Sequence, residues 1–198
     1  MDFLSACING DIMTVKNVLD GGGEIEAKNI DGWTPLITPR GSTALKAAAS
    51  EGHVLPAKVL LDARASIDVP GNDGYTSLHA TIFYGHISMV RLLVKHGANI
   101  EMKTSNGTTA LGIACERSEV DIARVLLKSG AQVNTFNTDG CSPLIMATSQ
   151  GNTAILDFLS RTIPISTLRV PKGQQHCELL VNMATWKLYE NSLQLDPC

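Results

Sequence analysis

Hydrophobic residues recur along the chain in pairs of short segments, each with the spacing of a helix. The segment "ALKAAAS" (44–50) is small and apolar, and a later segment places Ile87, Val90 and Leu93 on one helical face. A Gly-His pair, as at Gly52-His53, breaks the chain between the two members of a pair. The pattern predicts a unit made of a turn, a short helix, a tight turn, a second short helix and a loop.

This unit recurs every 33 residues. A glycine opens each copy, and a Thr or Ser two residues later supplies the side chain that caps a helix N-terminus. Those residues are Gly41 with Thr43, Gly74 with Thr76, Gly107 with Thr109, and Gly140 with Ser142. Helices of about nine or ten residues are unstable alone, so neighbouring units must stack around one continuous core. The sequence therefore predicts an all-α fold, an α-solenoid of helix-turn-helix units joined by β-hairpin-like turns.

The segment Asp73–Ala98, "DGYTSLHATIFYGHISMVRLLVKHGA", resembles the ankyrin repeat almost throughout, and the resemblance covers roughly residues 1–161. The departures are local. Only His79 keeps the histidine that the family places in the first helix; the other copies have Lys46, Gly112 and Ile145 there. Arg64 stands where a glycine usually ends the second helix, which predicts a strained corner.

The register of the repeat predicts a single ankyrin domain over residues 1–198. We expect an N-terminal capping repeat, four full repeats and a degenerate C-terminal cap, at 1–31, 41–73, 74–106, 107–139, 140–172 and 173–198. The apolar segment 177–193 is alternatively a partner-binding amphipathic helix. Residues 32–40 interrupt the register, and they are an insertion in a turn, the stub of a deleted repeat or an error in the gene model.

The amino-acid composition indicates which kinds of partner and which cellular location to expect. The 198 residues are 44% hydrophobic and 18% charged, as in a globular protein, and the net charge of −3 argues against nucleic acid as a partner. Apolar stretches are shorter than the ~20 residues of a membrane span, so we expect no membrane insertion. Five cysteines without a CxxC pair favour an intracellular location, cytoplasmic or nuclear.

Several residue types that often serve in catalysis or metal binding are present, but their positions in the repeat predict structural roles for them. Glycines 21–23 lie at a helix end and lack the lysine of a phosphate-binding loop. His53 and His86 recur at one repeat position, which predicts hydrogen bonds that support the fold. Cys7 and Cys115 share a second position, which predicts small core residues. We therefore expect no enzyme activity, no cofactor and no metal site.

The resemblance implies a binding function instead. Partners of this family contact the hairpin tips and the inner surface formed by the first helices. At those positions the chain carries aromatic and charged side chains, which often contribute most to interface energy. The candidate residues are Trp33, Arg40, Tyr75, Phe83, Tyr84, Glu116 and Arg117. In an alternative interpretation Phe83 packs beneath the hairpin and only Tyr84 is exposed.

The predicted function is a non-enzymatic protein–protein interaction module that binds a protein or peptide in its concave groove. The alternative is a targeting or regulatory arm, or a fragment, of a larger signalling protein, enzyme or ubiquitin-ligase adaptor. The sequence leaves the partner's identity and the oligomeric state open. The resemblance also implies that Asn134 is a candidate for hydroxylation by an oxygen-dependent asparaginyl hydroxylase, the alternative being an unmodified loop asparagine.

Overall fold

The computed structural model describes residues 3–22 and 43–162, which contain ten α-helices and no β-strand. This confirms the predicted all-α repeat fold. The helices are α1 (Phe3–Asn9), α2 (Ile12–Asp20), α3 (Ala44–Ser50), α4 (Val54–Asp62), α5 (Ser77–Phe83), α6 (Ile87–Lys95), α7 (Ala110–Glu116), α8 (Val120–Lys128), α9 (Pro143–Ser149) and α10 (Thr153–Thr162).

The first helix of each pair is seven residues long, shorter than the pattern predicted. Its start is fixed by the expected caps: the hydroxyls of Thr43, Thr76 and Ser142 accept hydrogen bonds from backbone N–H groups three residues later. Its end is fixed by the turn glycine, since Gly52 has a φ of 73°. A left-handed residue there stops the helix after two turns.

The chain divides into two compact units, Met1–Ser105 and Asn106–Cys198. In the first unit α3 packs against α1 and α5, while α4 packs against α2 and α6. In the second unit α7 packs against α9, and α8 packs against α10. One leucine per first helix fills the core at the same repeat position, namely Leu45, Leu78, Leu111 and Leu144. Within each unit, helices at corresponding repeat positions therefore lie side by side.

The turns between repeats have the expected hairpin-like hydrogen bonds. Gly71 N–H donates to the carbonyl of Tyr75, and Gly74 N–H donates to Gly71. In the first unit Ser105 N–H donates to the carbonyl of Asp73 at 3.4 Å, which joins that turn to the following one. This arrangement holds Asp73 and Tyr75 at the tip of a turn, beside the N-terminus of α5.

Two non-glycine residues have left-handed backbone. Arg64 has a φ of 63°, which confirms the strained corner predicted there. Ser118 has a φ of 61° and occupies the repeat position of Gly52, a strain that the sequence analysis did not foresee.

Several predictions fall outside the described residues: the insertion at 32–40, with Trp33 and Arg40, and the C-terminal cap at 173–198 with its alternative for 177–193. Within residues 3–22 and 43–162, no helix has the length and apolar character needed to cross a bilayer.

Candidate functional site

Three of the predicted binding residues form one aromatic cluster on the repeat that contains α5. Tyr75 precedes the helix, Phe83 ends it and Tyr84 follows directly. Tyr75 and Phe83 are in edge-to-face contact with ring centroids 6.3 Å apart, and Phe83 contacts Tyr84 in the same way at 5.3 Å. Such contacts hold aromatic rings in a defined arrangement. The cluster is therefore built before any partner binds.

Exposure differs among the three rings. Tyr84 is 59% exposed and Phe83 is 37% exposed, whereas Tyr75 is half-buried and also contacts the ring of His79. The side chain of Phe83 thus reaches the surface, in contrast to the alternative in which it packs wholly beneath the hairpin. Tyr84 contacts the rings of Phe83 and His86 from the surface, so its replacement affects packing less than replacement of the half-buried Tyr75, which contacts His79 inside the fold.

An ion pair lies beside the cluster. The ammonium Nζ of Lys46, on α3, donates to Oδ1 of Asp73 at 2.9 Å, and the same oxygen accepts the backbone N–H of Tyr75. Partial burial acts to raise the pKa of Asp73, but these two hydrogen bonds and the positive charge of Lys46 outweigh it and lower that pKa. Asp73 is therefore ionised and held in place.

His79 lies behind this ion pair and is buried. Its Nε2–H donates to the carbonyl of Met102 at 3.0 Å, and its Nδ1 accepts the backbone N–H of Thr76. Burial is the main reason that its pKa falls to about 4, and the charge of Lys46 lowers it further against the opposing effects of Met102 and Asp73. His79 is neutral at pH 7 and serves the fold, as predicted.

Together these groups surround an open groove of about 440 Å³ in the first unit. It is lined by Lys46, Ser50, Asp73, Tyr75, Ala80, Phe83 and Tyr84. We call it the aromatic groove. It combines apolar ring surface with one cation and one anion, which are the elements that bind and orient a peptide side chain.

The other described residues of the predicted set do not line this groove. Glu116 ends α7 and Arg117 follows it; both are exposed and belong to the second unit. Asn134 is exposed in the loop that follows α8.

Residues with possible catalytic chemistry are used by the fold. His53 donates from Nε2 to the carbonyl of Ile8 at 2.8 Å, and His86 donates to Ser50 at 2.9 Å. Cys7 and Cys115 are fully buried, and burial raises their thiol pKa values to about 11 and about 12. Residues 3–22 and 43–162 hold no group of three potential metal ligands.

The two charged members of the groove, Lys46 and Asp73, were not among the predicted binding residues. Lys46 was noted only as a departure from the family's histidine, and Asp73 only as the first residue of the segment that resembles the repeat. A signal was present, since Lys46 takes the repeat position of His79 and therefore faces the turn that carries Asp73. A lysine in a position that normally holds a buried histidine requires an acid close by.

Comparison with known proteins agrees with the geometry. The family model described as ankyrin repeats (3 copies) matches residues 3–104 and 96–167. No curated protein matches the chain.

Proposed function

The chain belongs to the ankyrin repeat family, and from this premise we propose that its aromatic groove captures a peptide segment of a partner protein. Ankyrin repeats are generally protein–protein interaction modules and are typically non-catalytic. The observation that supports peptide binding in this groove is that Phe83 and Tyr84 are exposed and held in contact with each other, beside the Lys46–Asp73 ion pair. Aromatic side chains in a pre-formed surface lose little entropy on binding.

Other predicted residues extend this proposal. Glu116 and Arg117 are exposed at the end of α7, at repeat positions equivalent to Phe83 and Tyr84. We propose Glu116 and Arg117 as separate partner contacts of the second unit, and Trp33 and Arg40 as partner contacts of the segment outside the described residues. Charged residues at the rim of an interface affect the rate of association more than its final affinity.

Affinity capture followed by mass spectrometry tests the proposal, with Tyr84→Ala as the variant. Because Tyr84 is exposed and lines the groove, its loss is expected to weaken partner binding by about thirtyfold, or ~2 kcal/mol. The thermal midpoint of unfolding is expected to stay close to that of the wild type.

Leu55→Ala is the matched control, because Leu55 is a large apolar residue that is 64% exposed on α4 and is not part of the groove. The control is expected to keep every partner that Tyr84→Ala loses. Equal retention by both variants, or equal loss, would contradict a role for the groove.

The proposal places this interaction in a reducing intracellular compartment, cytoplasmic or nuclear. It is supported by Cys7 and Cys115, which are buried free thiols among the described residues. In such a compartment thiols stay reduced.

We also propose Asn134 as a hydroxylation site. Its support is the family resemblance and its exposed position in the loop after α8. Incubation with an asparaginyl hydroxylase is expected to add one oxygen atom to the intact mass, and Asn134→Ala is expected to abolish the gain. An unchanged wild-type mass would contradict the proposal.

A further inference from the structure

Lys46 is an unusual residue for the inside of a repeat. Its side chain is 9% exposed, whereas that of its partner Asp73 is 59% exposed. Lysine is almost never fully buried unless it is paired. An ammonium group has three N–H donors, and the described part of the chain supplies one acceptor for them, Oδ1 of Asp73. The ammonium group can therefore donate to a further acceptor while it keeps its bond to Asp73.

The neighbouring polar groups are already in use. His79 donates to Met102 and accepts from Thr76, and it carries no charge at pH 7. The hydroxyl of Ser50 donates to the backbone carbonyl of Lys46. Since Lys46 lines the aromatic groove, a molecule bound there can reach its ammonium group.

The two charges of the ion pair do not cancel at the groove. Water screens the exposed carboxylate of Asp73 much more than the buried ammonium of Lys46. Glu51, at the end of α3, is also exposed and screened in this way. The groove therefore presents an ammonium group whose charge is less screened than that of either carboxylate, and this difference favours an anion over a cation.

We infer that the aromatic groove recognises an acidic peptide motif, in which an Asp or Glu carboxylate accepts from Lys46 while an adjacent apolar side chain packs on Phe83 and Tyr84. Charge-assisted hydrogen bonds of this kind are about twice as strong as neutral ones. The inference rests on the proposed function, and it adds the chemical class of the bound segment.

A phage-displayed library of random dodecapeptides, selected on the full chain, provides the probe. Selected peptides are expected to carry an acidic residue next to an apolar one. One peptide is then synthesised with its acidic residue intact and with the corresponding amide, Gln for Glu or Asn for Asp. Calorimetry on the wild type is expected to show about tenfold weaker binding of the amide form.

The decisive comparison uses Lys46→Met, which keeps the length and volume of the side chain while removing its charge. The acidic and amide peptides are expected to bind this variant equally. Lys58→Met is the matched control, because Lys58 is exposed on α4 and its replacement changes the net charge identically. This control is expected to keep the tenfold difference.

Asp73→Asn is a second variant that keeps the inference testable if Lys46→Met does not fold. It removes the carboxylate that competes for Lys46, so the preference for the acidic peptide is expected to rise above tenfold. A preference that is unchanged or reduced would overturn the inference.

The outcomes separate this inference from the proposed function. Peptides that lose affinity in Tyr84→Ala but do not distinguish acid from amide would overturn the inference alone. Selection of basic motifs would also overturn the inference alone. Self-association of the chain that Tyr84→Ala abolishes would do so too, because it would show that a second copy of the chain occupies the groove. Failure to select any peptide sensitive to Tyr84→Ala would overturn both.

Discussion

At the scale of single residues, the buried His79 makes the stability of the protein depend on pH. In the folded state its pKa is about 4, chiefly because burial disfavours the charged imidazole, whereas its ordinary value is 6.5. Between these two pH values the unfolded chain binds a proton that the folded chain does not. The free energy of unfolding therefore falls as the pH drops from 6.5 towards 4.

We predict that His79 contributes about 3 kcal/mol to this loss of stability in acid, from the shift between about 4 and 6.5. In His79→Gln, which keeps an amide able to form hydrogen bonds, the decline between pH 7 and pH 4.5 is expected to be smaller by most of that amount. Urea unfolding at the two pH values measures it.

His96→Gln is the control, since His96 is exposed at the end of α6. It is expected to leave the decline as in the wild type. Identical pH dependence of His79→Gln and the wild type would show that His79 is not the responsible group. Asp73, whose pKa is lowered from 3.8, titrates below this range.

Gly112 shows how a residue can look unfavourable in sequence and be required by its surroundings. A glycine inside a helix costs about 1 kcal/mol relative to alanine. A Cβ atom at Gly112, however, would lie 2.7 Å from Cγ2 of Thr108 and 3.3 Å from Sδ of Met146. The local cost of glycine is therefore offset by close packing with two neighbours, which helix propensity cannot reveal.

The candidate site was predictable only in part, because contacts between neighbouring repeats cannot be read from the local sequence. Repeat register located Tyr75, Phe83 and Tyr84, because residues of one short helix and its turn must lie together. It did not predict the ion pair of Lys46 with Asp73, which joins positions 27 apart in the sequence. That contact depends on the distance between adjacent repeats, which the pattern within one repeat does not specify.

At the scale of elements, the tight turn of one repeat supports a histidine of the next. A Cβ atom added to Gly52 would lie 2.8 Å from Nδ1 of His86, and one added to Gly10 would lie 2.9 Å from Nδ1 of His53. Each imidazole thus packs directly over a glycine while its Nε2 donates to a carbonyl of the preceding first helix. The glycine is needed both for its left-handed backbone and for the space above it.

We predict that Gly52→Ala destabilises the protein by about 1–2 kcal/mol more than Gly151→Ala does. Both glycines occupy the same repeat position with positive φ, of 73° and 65°. Among the described residues, the methyl group would meet a ring at Gly52 but would have no atom within 4 Å at Gly151. Chemical denaturation of the two variants measures the difference.

Making Gly52→Ala in a protein that already carries His86→Ala separates the steric conflict with the imidazole from the strain of the left-handed backbone. Without the ring, Gly52→Ala is expected to cost no more than Gly151→Ala. If the two alanine variants are equally destabilised in the wild-type background, the histidine does not depend on the glycine beneath it.

Helix N-termini were predicted better than helix lengths. Thr43, Thr76 and Ser142 cap their helices as expected, but the side chain of Thr109 does not, and its hydroxyl instead contacts that of Thr135 at 3.3 Å. A cap requires only local geometry, so sequence predicts it well. The prediction of a cap fails where a residue more distant in sequence competes for the same hydroxyl.

At the scale of the whole molecule, the period of 33 residues carried the prediction of the fold. One repeated pattern implied short helix pairs packed around a core, and buried leucines occupy the same repeat position in each unit, Leu45 and Leu78 in the first and Leu111 and Leu144 in the second. Register alone did not predict exposed apolar residues such as Ile8 and Met13 in the first repeat. Their surroundings depend on which repeats lie beside them, not on the repeat to which they belong.

The histidines above Gly10 and Gly52 have a consequence for how such a chain can be rearranged. In the second unit Ser118 occupies the glycine position, and Asn152, in place of histidine, donates from Nδ2 to the carbonyl of Ser118 at 3.3 Å. The pairs observed within the two units are therefore Gly with His, twice, and Ser with Asn, and each pair spans the border between two repeats. Repeats are therefore not interchangeable modules: a duplication, deletion or graft at a repeat border must bring matching neighbours together, and this restricts both the evolution and the engineering of the array.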